Sequence, residues 1–340
     1  MEAYNLKASP VPIRWHVSLP IFAAEAFLRS QGAEYGWIGG TDKDGMLRCV
    51  LPYTAIHKTG FHMIRFQTGT VPLLRVLSLE EEKSFLNSAV EHFRSTGVDL
   101  IIPSGNHAIF QTYPDSASAA PYGTFVNDLT QGEEALEKEI RKTYRQNIRK
   151  ALAEGVEIKS GPEYRSISYD LVAETLKRSG ASFKNRNEYE LMLEELGEHV
   201  KIFVAEHKGT VQACMVAPFS KFSAYNCYAG TRPHPVLGSM HLLHWEAMKQ
   251  FRALGVKQFD FQGVRIDPVK GSKQEGIANY KKGFGGRFVR GFLWKSPIRP
   301  FKSLAYSIAV RLLKGGDIVD QEGRKLVSEE LVRDSVADHK

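Results

Sequence analysis

The sequence predicts an α+β protein built as two tandem units, and three observations carry that reading. The chain has 340 residues, more than one core ordinarily serves, and a domain size of about 150 residues gives two units. Each half runs through helices, a group of strands separated by short turns, and then a helix that feeds one more strand. No residue-level repeat, low-complexity segment or charged tail interrupts this order.

Taken in order, residues 21–31 have the pattern of a short helix. Strand-like residues 35–38 and 46–51 flank the turn Thr41-Asp-Lys-Asp-Gly45, which is hairpin chemistry. A helix over 79–96 is stopped by Gly97 and leads into a strand at 98–102, and 122–129 reads as another strand. Past Gly155 the outline recurs: strand 156–159, helices 169–178 and 187–196, strands 201–206, 210–218 and 222–229, helix 239–254, strand 257–261, and a closing strand at 287–294. The expected division is 1–132, 133–296, and a basic helix and tail at 297–340 that docks back on the first unit.

Composition narrows the function classes. The formal net charge of +7 permits polyanionic partners without requiring one. Three widely spaced cysteines, Cys49, Cys214 and Cys227, form no CxxC pair, which argues against a disulfide framework or structural zinc and favours a reducing cytosol. The first twenty residues carry Glu2, Lys7, Arg14 and His16 without a signal-type apolar run, and nowhere do eighteen apolar residues run together. A cytoplasmic protein that does not span a membrane is expected.

Residues 141–156, RKTYRQNIRKALAEGV, read as one helix stopped by Gly155. Lys138, Arg141, Lys142, Arg145, Arg149 and Lys150 crowd one stretch, while Glu133, Glu134 and Glu137 precede it, matching the helix dipole at both ends. Leu136, Ile140, Tyr144, Ile148 and Leu152 form an apolar stripe beside the row Arg141, Arg145 and Arg149. The apolar stripe is expected to dock and the cationic row to stay wet, either as a solvated face or as a polyanion-binding one. Further on, Lys281 and Lys282 sit between Tyr280 and Phe284, with Gly283, Gly285 and Gly286 following. That run is either a charged turn or a site where backbone approaches a ligand, a lysine steadies negative charge and Tyr280 stacks on a base or sugar.

Other candidates have simpler explanations. His241 and His244 have helical i,i+3 spacing but no third ligand nearby, so no metal is expected. Asp99, Asp260 and Asp267 lie near strand ends and could act as bases, but a solvated or turn-capping aspartate is the commoner case. There is no GxSxG, Walker loop or GxGxxG, which removes support for serine hydrolase, nucleotide triphosphatase and dinucleotide readings. Residues 295–314 contain Lys295, Arg299, Lys302, Arg311 and Lys314 with no acid, and 301–313 are apolar at helical spacing. A helix docked by its apolar side with a wet basic edge is expected there, with peripheral contact to an anionic membrane through 297–314 as the alternative.

Read together, YRQNIRKALAEGVEI (144–158), ETLKRSGASFKNRNEY (174–189), LLHWEAMKQFRALGVKQFDFQG (242–263) and GIANYKKGFGG (276–286) resemble the FemABX family. Its members are aminoacyl-tRNA-dependent transferases that build peptidoglycan cross-bridges. The resemblance implies tandem GNAT-like (acyl-CoA N-acyltransferase-like) domains, each a mixed, mostly antiparallel sheet flanked by helices, in a cytoplasmic monomer that needs no cofactor. It implies that Lys281 stabilises transfer from the aminoacyl ester and that Tyr280, in place of the family's usual phenylalanine, lies near the tRNA end. Arg178 would contact the diphosphate of a nucleotide- or lipid-linked acceptor, with Arg186 and Tyr189 beside it, and Arg141, Arg145, Arg149 and Lys282 would meet the tRNA backbone. The family's N-terminal Gln-Ser, Trp and Lys pattern is not met around Trp37, where glycines follow.

Two other functions compete. An acyl-coenzyme A N-acyltransferase acting on an amino sugar or polysaccharide precursor would use a Gly-rich turn before helix 239–254, where this chain has Arg232-Pro-His-Pro-Val-Leu-Gly-Ser239 without that spacing. A non-enzymatic RNA- or membrane-surface protein would explain the basic patches and leave Tyr280-Lys281 without a role.

Overall fold

The structure is a computed structural model that describes residues 5–323. Its elements are, in order, β1 (Lys7–Val11), α1 (Glu25–Gln31), β2 (Glu34–Thr41), β3 (Leu47–Lys58), β4 (Phe61–Phe66), β5 (Val71–Pro72), α2 (Leu79–Ser95), β6 (Leu100–Ile101), β7 (Ser118–Asp128), α3 (Glu133–Glu139), α4 (Lys142–Ala153) and β8 (Glu157–Ser160). There follow α5 (Arg165–Lys177), α6 (Arg186–Leu196), β9 (Val200–His207), β10 (Thr210–Pro218), β11 (Ala224–Tyr225), β12 (Tyr228–Thr231), α7 (Ser239–Ala253), β13 (Gln258–Asp260), β14 (Val264–Arg265), α8 (Lys273–Lys282), β15 (Arg287–Pro297) and α9 (Pro300–Lys314). No described helix is long and apolar enough to cross a membrane.

The described residues divide into two compact units, and the division is not a single cut in the chain. One unit holds 5–14, Gln31–Gly123 and 290–323; the other holds Trp15–Ser30 and Thr124–Val289. Residues 15–30 join the second unit because their apolar side chains are buried there. Phe22, for instance, is 4.5 Å from the Tyr225 ring, centroid to centroid.

In the first unit the strand order is β1-β2-β3-β4-β6-β15-β7. The hairpins β2–β3 and β3–β4 are antiparallel, and β4 and β6 run parallel. Helix α2 buries Phe85, Leu86, Ala89, Val90 and Phe93, one stripe at helical spacing, in a core shared with Leu51, Ile64, Phe66 and Trp294. Its start is fixed by a capping box between Ser78 and Glu81. Strands β1 and β4 were not evident in the sequence, where neither has a clean alternation.

The second unit contains an antiparallel sheet, β12-β10-β9-β8, and the strands β13 and β11 beside the end of β7. Helix α7 buries Leu242, Leu243, Ala247, Met248 and Phe251 against Phe203 and Phe259. The single strand expected at 222–229 is broken. Its first part, β11, pairs parallel with β13, while β12 pairs antiparallel with β10. The chain changes partners at Asn226 and Cys227, where the Asn226 N–H donates to Asp260 O at 2.9 Å.

Two helices also differ from expectation. The basic helix is two helices, α3 and α4, separated by extended backbone at Ile140 and Arg141. Leu136, Ile140 and Ile148 are buried as a stripe would require, but Leu152, in the last turn of α4, is exposed. Glu133 and Glu134 therefore lie in the first turn of α3, and α4 begins on Arg141 and Lys142 with no acid in its first turn. Helix α9 lies with its polar side inward and its apolar side in water, the reverse of the docking expected.

Candidate active site

Lys281 is set by three local structures. Helix α8 starts where Ser272 Oγ accepts the Glu275 N–H and ends at Gly283, so Lys281 falls on its last turn, partly buried. Its Nζ donates to Gln262 O at 2.8 Å and Gly263 O at 2.9 Å. Those carbonyls belong to the loop after β13, and Asp260 shapes that loop. Its Oδ1 accepts the Gln262 N–H at 2.6 Å and the Thr124 hydroxyl, and Gln262 is held in the left-handed region at φ 58°. An ammonium has three N–H donors. Two are spent on backbone, which leaves one further N–H.

Burial pushes the Lys281 ammonium down to about 8, partly offset by the nearby Asp260 carboxylate. It is therefore still protonated at neutral pH. Burial raises the Asp260 carboxyl, while the Thr124 hydroxyl, the Gln262 N–H and Lys281 oppose the rise. Sequence reasoning favoured a solvated or turn-capping role for Asp260 over a base; the geometry makes it the residue that positions the Lys281 carbonyl cradle. Thr124 and Gln262 were not singled out, and the phrase FDFQG was the one signal that marked this loop.

Beside Lys281 stands an aromatic wall of Tyr144, His241, Tyr280 and Phe284. His244 lies behind it, fully buried, with Nδ1 at 2.9 Å from Met240 O and 3.0 Å from the Tyr280 hydroxyl. A carbonyl only accepts, so Nδ1 carries the proton. Burial pushes this imidazole down to about 3 and that of His241 to about 4, so both are neutral. His244 Nε2 is then a bare acceptor, and it and Asn226 Oδ1 are buried without hydrogen-bond partners among the described residues. Such atoms mark a polar site rather than a finished core.

Tyr280 is less available than a stacking platform requires. Its ring is flanked by Tyr144, His241, His244 and Phe284, and its hydroxyl is tied to His244. The glycines after it serve packing, not ligand approach. A Cβ at Gly283 would lie 2.2 Å from the Tyr144 ring, and one at Gly285 2.5 Å from Glu139 O. No side chain fits where α8 meets α3 and α4.

The basic residues divide sharply. Arg145 does not face outward for RNA. Its Nη1 donates to Glu137 O, Lys138 O and Ile140 O at 3.0–3.1 Å, which satisfies the carbonyls left at the end of α3 by the break in the helix. Arg141 is exposed, 5.5 Å above the Tyr144 ring, and Arg149 is exposed with a long 3.8 Å approach to Glu137. Lys282 is exposed at the end of α8. Arg141, Arg149 and Lys282, with Lys142 and Lys150, make the wet cationic surface beside the Tyr144–Tyr280 wall.

Of the residues assigned to an acceptor, Tyr189 is corrected. It is fully buried on α6, and its hydroxyl is 2.7 Å from Ser168 Oγ, so it is a core residue whose polar tip is satisfied. Arg178 donates to Thr231 O at 2.5 Å and Thr175 Oγ1 at 2.9 Å. That puts it at the far end of β12 from Cys227, about 13 Å along the strand. Arg186 stacks on Tyr169 at 4.2 Å, pairs with Asp170 at 2.5 Å, and lines a cavity of about 360 Å³ with Asn185, Glu188 and Leu191.

The remaining candidates fall elsewhere. Asp99 is buried in the first unit, accepting from the His62 N–H and from Lys302, so it is structural. His241 and His244 belong to the aromatic wall. Glu34, His57 and His62 of the first unit bring ligand-type atoms within 4.8 Å of one another on neighbouring strands, a grouping the sequence did not suggest. At the start of α7, a Cβ on Gly238 would lie 2.1 Å from Asn147 O, so α4 occupies the flank of that helix end.

Comparison with known proteins bears on the fold. Residues 95–209 match the FemAB family, a stretch that contains α3 to α6 and ends before Lys281. No curated protein sequence matches the chain. Among solved structures, FemX is similar at a TM-score of 0.61 with 14% identity, over 82% of this chain and 93% of that one. The C-terminal DUF2156 domain of a putative lysylphosphatidylglycerol synthetase from Agrobacterium fabrum is similar at 0.51 with 15% identity, over 88% and 94%. A conserved protein of unknown function from Bacteroides thetaiotaomicron VPI-5482 reaches 0.50 with 10% identity, over 85% and 93%. The fold is thus the tandem GNAT-like, α+β fold seen in FemX, and residues 95–209 are similar to the FemAB family.

Proposed function

We propose that the protein transfers an amino acid from the 3′ end of an aminoacyl-tRNA to a primary amine of a nucleotide- or lipid-linked cell-envelope precursor, working in the cytoplasm at the inner face of the plasma membrane. The observation that carries this reading is the Lys281 ammonium, with two N–H groups on Gln262 O and Gly263 O and a third left beside a wet cationic surface. The donor ester is already activated, so the protein's work is to orient the amine and to stabilise charge. The amine attacks the ester carbonyl carbon, and the carbonyl oxygen becomes an oxyanion that accepts the third Lys281 N–H. When the C–O bond breaks, the ribose oxygen leaves with the electron pair and takes up the proton released by the amine, relayed by the neighbouring ribose hydroxyl. The product is an amide on the precursor and uncharged tRNA.

Arg141, Lys142, Arg149, Lys150 and Lys282 would meet the RNA backbone, where released counterions supply affinity. Arg178 and Arg186 would meet the acceptor's phosphates, with their present hydrogen bonds to Thr231 O and Asp170 exchanged for the ligand. The occupied flank of α7 weighs against coenzyme A as donor, because that helix start is where backbone amides would hold its pyrophosphate. Incubation with a mixed pool of charged tRNA, or with acyl-coenzyme A, and candidate envelope precursors, read by mass spectrometry, tests the proposal. An amino-acid mass appearing on a precursor only with charged tRNA is expected. Product formed only with acyl-coenzyme A would replace this reading with the rival one.

A further inference from the structure

Helix α9 is amphipathic and sits the wrong way round for a helix whose surroundings are water. Phe301 is 90% exposed and Leu312 81%, and Leu304, Ile308 and Leu313 are each more than half exposed. At 3.6 residues per turn, Leu304, Ile308, Phe301, Leu312 and Ala305 share an arc of about 100°. The opposite side holds the helix to the first unit through polar and mixed contacts. Ser303 is buried on Asp99 O, Lys302 Nζ donates to Asp99 Oδ2 and Gly60 O, and Tyr306 lies against Phe61, Met63, Leu100 and Ile102. The orientation is therefore anchored by named bonds, and rotating the helix to hide its apolar arc would break them. Five large apolar side chains on one short helix exceed what scattered surface hydrophobes explain.

We infer that α9 is an interfacial helix that seats its Phe301–Leu304–Ile308–Leu312 face in an anionic lipid bilayer. Charge chooses this occupant. Arg311 borders the apolar arc on one edge, Lys302 on the other is already paired with Asp99, and no acid occurs between 295 and 314. A second copy docked on the same arc would bring two Arg311 side chains to one interface with no acid on the helix to pair with them. Anionic headgroups complement that charge, and long basic side chains reach them while their stems lie along the apolar face. The helix has 15 residues, about 22 Å long, against the roughly 30 Å of a bilayer's hydrocarbon, so it lies in the surface and does not cross it. This inference rests on the first unit's geometry and does not depend on the reaction proposed above.

The test is co-sedimentation of the full-length protein with vesicles of mixed phosphatidylglycerol and phosphatidylcholine, against phosphatidylcholine alone. Preferential binding to the anionic vesicles is expected, weakened by about 100-fold or more in the Leu304→Asp/Ile308→Asp/Leu312→Asp variant and by about fivefold in Arg311→Gln. These positions are exposed, so circular dichroism and Tm should match the wild type, and transfer to a water-soluble acceptor should be unchanged. No vesicle binding by the wild type, or equal binding by the triple variant, overturns the inference. So does a wild-type dimer in sedimentation equilibrium that the triple variant converts to monomer while neither binds vesicles. Vesicle binding with no transferase product in any assay sinks the reaction and leaves the membrane contact standing.

Discussion

Helices α4 and α9 are both short, cationic and amphipathic, yet the protein mounts them in opposite senses. α4 turns Ile148 and Ala151 into the second unit's core and leaves Arg141, Lys142, Arg149 and Lys150 in water. α9 turns Ser303 and Tyr306 inward and leaves Phe301, Leu304, Ile308 and Leu312 in water. The difference teaches that a count of basic and apolar residues does not say which face a helix offers. α4 offers charge beside the Lys281 site, whereas α9 offers grease with a charged rim. One suits a phosphate backbone and the other a lipid surface.

The largest effect that would sharpen this contrast lies at Lys281, the proposed oxyanion donor beside the α4 surface. Lys281→Met should lower single-turnover transfer about 100-fold or more, the scale of losing one oxyanion donor, with Tm little changed. A wild-type rate in that variant would leave α4 as a solvated face no more meaningful than any other. The same ammonium predicts a pH profile. Its proton is lost as pH rises through about 8, so turnover should fall on the alkaline side near that pH. Lys281→Arg, if active, should lose this limb because guanidinium does not titrate there.

Next in size is the charge of α4 itself. Arg141→Glu/Arg149→Glu/Lys150→Glu should raise the KM for charged tRNA about tenfold or more at low salt and flatten the salt dependence. Arg311→Gln on α9 should leave both unchanged. Equal responses from the two helices would erase the distinction drawn between them.

Smaller and different in kind is Arg145→Ala. It removes a guanidinium that satisfies three carbonyls at the end of α3, so it should cost about 1–3 kcal/mol of stability in denaturant unfolding. The KM for tRNA should stay put. A rise in KM with stability intact would return Arg145 to the RNA-facing row. Tyr189→Phe is the mildest case: loss of one buried hydrogen bond should cost about 1 kcal/mol with acceptor KM unchanged.

Much of the fold was legible because local rules and tertiary packing agree there. Helix α2 begins at Ser78 with its Glu81 and carries one apolar stripe, and β10 was read with its observed ends. The candidate site was legible only in part. Lys281 could be named from its motif, but its cradle depends on Asp260 fixing Gln262 in a left-handed turn twenty residues earlier in the chain, a long-range arrangement no periodicity encodes. Tyr189 and Arg145 looked functional because a polar tip and a basic row read alike whether they meet a ligand or the protein's own backbone.

By itself, then, the amino-acid order determined the α+β class and most helices and strands, because those follow from periodicity, caps and short-range residue chemistry, and it carried the motifs in which the resemblance to the FemABX family lies. Only the tertiary structure decided where the 141–156 helix breaks, that residues 15–30 fold with the second unit, which arginine is consumed as a helix cap, and which side of α9 faces water. Each of those turns on competition between buried surface and unsatisfied backbone groups, and that competition is settled by neighbours distant in the chain.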